Sequence, residues 1–68
     1  MHPSVERLMQ FFAYEHLPEN LRQVSQPCAQ LAIDMATGLP QNQELTVGLR
    51  KLLEAKDCFV RAQLDKSQ

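Results

Sequence analysis

The residues of this chain best suited to chemistry gather at two places. The run Phe11-Phe12-Ala13-Tyr14-Glu15-His16 concentrates nearly all the aromatic side chains. A planar ring there can stack on a nucleobase or another flat ligand. Asn20 and Arg22 follow closely, in the first turn of an expected helix whose open backbone N–H groups attract anions. The second place is the run from Leu45 to Ala62, where Lys56 interrupts an apolar face and Arg61 follows five residues later, near the open end of the expected hairpin. Aromatic rings, cations and a helix N-terminus together suit a nucleotide. Nothing in the sequence suits catalysis on it: there is no Gly-rich phosphate loop, no nucleophile–base arrangement and no paired metal-binding carboxylates. The chain reads as a binding protein and not an enzyme, with no cofactor and no metal.

Each of these residues also has a purely structural reading. Phe11 and Phe12 read first as core and second as a stacking platform, whereas Tyr14 falls opposite the apolar face of its helix and is free to stack. His16 reads as a turn residue. Arg50–Glu54 and Asp57–Arg61 are i,i+4 pairs, whose ordinary meaning is a solvated face stabilised by a few tenths of a kcal/mol per pair. Lysine is rarely buried without a partner. Lys56 therefore either packs its stem and turns its ammonium to water or to Glu15 or Asp34, or binds a phosphate in a crevice between subunits.

These side chains need helices to position them, and the spacing of apolar residues predicts three. The first covers about Ser4 to Tyr14, with Pro3 at its start and Val5, Leu8, Met9, Phe11 and Phe12 on one side. Pro18 ends it by excluding the residue before it from helical geometry. The second covers about 18–37 with a seam of Leu21, Val24, Cys28, Leu31 and Met35, kinked but not broken at Pro27. Ser25 is available to cap a restarted helix should Pro27 break it. Gly38-Leu39-Pro40 forms the turn, with Gly38 suited to a left-handed cap and Asn42 to an N-cap. The third covers about 43–65, leaving Lys66–Gln68 frayed. Its residues Leu45, Gly48, Leu49, Leu52, Leu53, Ala55, Phe59, Val60, Ala62 and Leu64 fill an arc of roughly 200°. One core needs only about half that width. The expected fold is therefore all-α, a short N-terminal helix followed by a long antiparallel helical hairpin, assembled as a homo-oligomer.

Composition narrows the function further. Sixty-eight residues form one domain near the lower limit for a self-sufficient core. Cys28 and Cys58 offer no convincing disulfide framework and, with His2 and His16, no zinc spacing. Oligomerisation is the remaining stabiliser. Seven basic and eight acidic side chains give a net charge of −1, against binding of duplex nucleic acid or an anionic membrane surface. No apolar run approaches the ~18 residues of a membrane span and no signal-peptide pattern opens the chain. A cytoplasmic protein with reduced thiols is expected.

The short aromatic-tipped helix, the two-helix hairpin and the run Leu45-x-x-Gly48-x-x-x-Leu52-x-x-Ala55 resemble the hairpin-domain family of phage anti-CBASS proteins. The resemblance spans roughly residues 5–62. It implies a sponge in the host cell cytoplasm that sequesters cyclic oligonucleotide second messengers and silences a bacterial defence system. It implies homo-oligomers, commonly hexamers, with cyclic dinucleotides between subunits, gripped by a first-helix aromatic and a basic residue near the second helix's start. By position these would be Tyr14 or a neighbouring Phe, and Arg22. Some members bind cyclic trinucleotides at a separate three-fold site. Several carry Arg where this chain has Glu54, so Lys56 or Arg61 would have to serve there. The alternative expectation is a helical protein-interaction module, an inhibitor docking on a host protein, with Lys56 setting register in its seam.

Overall fold

The computed structural model describes residues 1–65. Its elements are α1 (Pro3–Met9), a 3-10 turn (Gln10–Phe12), α2 (Glu19–Gly38) and α3 (Gln43–Asp65). The fraying expected of Lys66–Gln68 lies outside the described residues. Pro3 opens α1 with its φ already near helical, and His2 caps it, Nδ1 accepting the Ser4 backbone N–H at 3.1 Å. The regular helix stops at Met9, five residues before the expected Tyr14. The 3-10 turn that follows winds more tightly, and Ala13 turns extended (φ −59°, ψ 137°).

Helix α2 begins on the Pro18 carbonyl, which accepts from the N–H groups of Leu21 and Arg22 at 3.0 and 2.9 Å. It continues unbroken through Pro27. Both Pro27 and Gln23 are exposed, so water can reach the Gln23 carbonyl that loses its helical donor. Ser25 accordingly sits inside a continuous helix and caps nothing. Gly38 has no positive φ, and the expected left-handed cap is absent. Pro40 instead favours extended geometry at Leu39 (φ −112°, ψ 159°), and Gln41 Nε2 donates to the Ala36 carbonyl at 2.7 Å. Asn42 does cap α3, its Oδ1 accepting from Leu45 N–H at 3.0 Å.

The two long helices pack antiparallel, with Gln63 Nε2 near the end of α3 donating to the Asn20 carbonyl at 3.4 Å. The buried seam of α2 is Leu21, Ser25, Ala29, Ala32 and Ala36, not the larger Val24, Cys28, Leu31 and Met35. The reason is the third element. Val5 and Phe12 enter the same core as Leu45 and Leu49, and small residues on α2 leave the volume they need. Leu31 and Met35 are thereby turned outward. On α3 only Leu45 and Leu49 of the wide arc are buried, while Gly48, Phe59, Ala62 and Leu64 are exposed. The molecule is a rod of 41 × 19 × 17 Å. No helix among the described residues is long and apolar enough to cross a membrane.

Candidate functional site

The open end of the hairpin carries a crevice of about 340 Å³ between the 3-10 turn, the loop that follows and the last turns of α3. Its lining includes Phe11, His16, Leu17, Ser25, Lys56, Asp57, Val60 and Arg61. Four residues selected from the sequence, Phe11, His16, Lys56 and Arg61, thus converge although 40 or more positions separate the two pairs. The 3-10 turn explains Phe11: with Phe12 drawn into the core, its neighbour points away and is 57% exposed. Lys56 and Arg61 are brought to the crevice by the length of α3, which carries them back past α1.

The electrostatics are mixed. Lys56 Nζ pairs with Asp57 Oδ1 at 2.9 Å, and only 13% of the lysine side chain remains exposed. Its partner is its sequence neighbour, not Glu15 or Asp34. Asp57 is therefore engaged, and neither the Asp57–Arg61 nor the Arg50–Glu54 pair closes among the ion pairs of the described residues. Arg61 Nη2 instead lies 3.3 Å from Cys58 Sγ. Two cations and one carboxylate leave the crevice with one net positive charge, His16 aside.

The floor holds a residue that the search for chemistry in the sequence did not select. Ser25 is 1% exposed, and its hydroxyl has no hydrogen-bond partner among the described residues. A buried unsatisfied hydroxyl costs about 1–3 kcal/mol. The available signal was its place on the stripe Leu21–Ser25–Ala29–Ala32–Ala36, where every other residue is apolar.

The remaining selected residues lie elsewhere. Phe12 is core, 2% exposed, and offers no stacking face. Tyr14 is half-buried against that core and not free on an outer face. Asn20 is exposed in the first turn of α2, and Arg22 forms an ion pair with Glu19. None of the four lines the crevice. Within one chain, Tyr14 and Arg22 of the expected junction site are thus not brought together with Phe11, Lys56 and Arg61.

A second depression occupies the turn end. Leu31, Met35, Leu39 and Pro40 face Leu45, Gly48, Leu49 and Leu52 across about 500 Å³ with almost no polar surface. Leu31, Met35 and Leu39 are all substantially exposed there. Compared with protein-family models, curated proteins and solved structures, the chain matches none.

Proposed function

We propose that this chain is a non-enzymatic phage sponge that binds cyclic oligonucleotide second messengers in the host cytoplasm and withholds them from CBASS-type immunity. The observation that carries the reading is the convergence of Phe11, His16, Lys56 and Arg61 on one crevice. Phe11 supplies a face for a base, worth about 1–3 kcal/mol per stack. Lys56 and Arg61 supply charge-assisted contacts to phosphate. One net positive charge suits one phosphodiester per crevice. A volume of 340 Å³ is at the small end for ligand pockets. It favours one nucleotide unit per chain, with the rest of the ring covered by another copy.

The apolar groove at the turn end supports that assembly. Its open leucines and methionine complete the surplus apolar face of α3, and a second copy would bury both. The family resemblance makes a hexamer the expected size. Sequestration then works by mass action, requiring only tight binding and a sponge in excess of the host effector.

Calorimetric titration with a panel of cyclic di- and trinucleotides tests the reading, followed by chromatography of the ligand after heat denaturation. Saturable binding with intact ligand recovered is expected. Absence of binding across the panel, or linear product accumulating with time, would overturn it. The same groove favours a second reading, a module docking on a host protein. A folded monomer of 7.8 kDa in light scattering would select that reading over the sponge.

A further inference from the structure

We infer that Ser25 is a specificity-determining residue of the crevice, its hydroxyl hydrogen-bonding a neutral group on the edge of a bound nucleobase. The inference rests on the sponge reading and adds to it a residue and a ligand group. Ser25 is the one fully buried member of the crevice lining, so it marks the deepest point. A helical serine ordinarily donates to the carbonyl one turn back, here that of Leu21. Ser25 does not, and its oxygen has no partner among the described residues. The next positions of the same stripe, Ala29, Ala32 and Ala36, show that packing against α3 asks only for a small side chain. The oxygen therefore contributes nothing to the fold that alanine would not.

Charge decides which part of a nucleotide reaches it. A phosphate carried to the floor would lose its water and find one hydroxyl, a costly exchange for an anion. Nearer the mouth it meets Lys56 and Arg61. The flat, uncharged base then goes inward, between Phe11 and Val60, and presents a carbonyl, an amino group or a ring N–H to Ser25. A hydroxyl both donates and accepts, so it can satisfy any of these. In the unliganded chain the oxygen is sealed from solvent. Contact therefore requires a rotamer change at Ser25 or in the side chains above it, within the reach of ordinary staggered wells.

The test compares the wild type with Ser25→Ala, titrating cyclic di-GMP, cyclic di-AMP and cyclic di-UMP by calorimetry and following thermal unfolding of both proteins. The expected result is a roughly three- to tenfold loss of affinity for the best wild-type ligand, a flatter preference among the three bases and an unchanged or higher Tm. Ser25→Cys, similar in size but a weak donor, is expected to show the same loss and serves if the alanine variant fails to fold. Wild-type binding with equal affinities and preferences in the variants would overturn the role of Ser25 and leave the sponge reading standing. No binding of any of the three by the wild type would overturn the Ser25 inference, and the sponge reading too if the wider panel also fails.

Discussion

At the open end of the hairpin, α2 and α3 surround a buried serine with Lys56, Asp57 and Arg61. At the turn end the same two helices present Leu31, Met35, Leu45 and Leu52 with almost no polar surface between them. Both ends are framed by the same two antiparallel helices, whose α2 seam beyond Leu21 is all small residues. What differs is the third element. Helix α1 begins beside the start of α3, where Ser4 Oγ meets Thr46 Oγ1 at 3.4 Å, and its 3-10 turn comes to lie against the later part of the hairpin. There the turn and the loop after it roof one end and supply Phe11 and His16. They leave the apolar flank at the turn end uncovered. One end thus offers a water-soluble anion a mixed polar and aromatic wall, and the other offers a protein surface something to bury.

If the ends do separate work, variants should separate with them. The largest effect is expected from Leu31→Glu combined with Met35→Glu. Both side chains are partly exposed in the single chain, so helicity by circular dichroism should survive. Burying two carboxylates in an apolar contact is prohibitive, and the mass in light scattering should fall to 7.8 kDa. An assembly that keeps its mass would place the contact between copies elsewhere.

Next in size is the stacking face. Phe11→Ala should weaken cyclic-dinucleotide binding by about 1–3 kcal/mol with little effect on stability, since the ring is largely exposed. Tyr14→Ala should do the reverse, lowering Tm through lost core packing and changing affinity less than about twofold. Arg22→Ala should change neither by much, because its partner Glu19 is a neighbour on an exposed surface. Affinities that fall with Tyr14 and Arg22 but not with Phe11 would return the site to the start of α2.

That contrast also marks how far the sequence was legible. The three helices were visible because their signals are local: Pro3, Pro18, Gly38-Leu-Pro40, the Asn42 cap and the apolar spacing of α3 each act within a few residues. The seam of α2 was not. Leu31 and Met35 are the more hydrophobic choice, and nothing local says that the volume facing α2 is already taken by Phe12, Val5 and Leu49. The same tertiary fact hid the crevice. Phe11 and Phe12 are indistinguishable by type, and only the 3-10 turn decides which ring enters the core. Lys56 was visible as a cation out of place on an apolar face and Arg61 as a polar-face residue near the open end, but their meeting with His16 depends on the length of α3. Ser25 read as a capping residue because serine favours caps, and its burial follows only from the packed hairpin.

The smallest expected effect sharpens the turn end. A Cβ at Gly48 would meet nothing within 4 Å in the single chain. Gly48→Ala should therefore stabilise an isolated hairpin by up to about 1 kcal/mol through helix propensity. In an assembly whose partner packs on the groove, the added methyl would crowd the contact and loosen association. A variant that is both more stable and equally associated would show that the partner does not approach Gly48.

Whether Lys56 and Arg61 of the open-end crevice hold the ligand, and not merely the assembly, is decided by one titration. The wild type and the double variant Lys56→Met/Arg61→Ala would each be titrated calorimetrically with the tightest-binding cyclic dinucleotide, their masses checked by light scattering in the same buffer. Loss of two charge-assisted contacts predicts at least a hundredfold weaker binding at unchanged mass. Equal affinity in the two proteins would place the ligand away from this crevice.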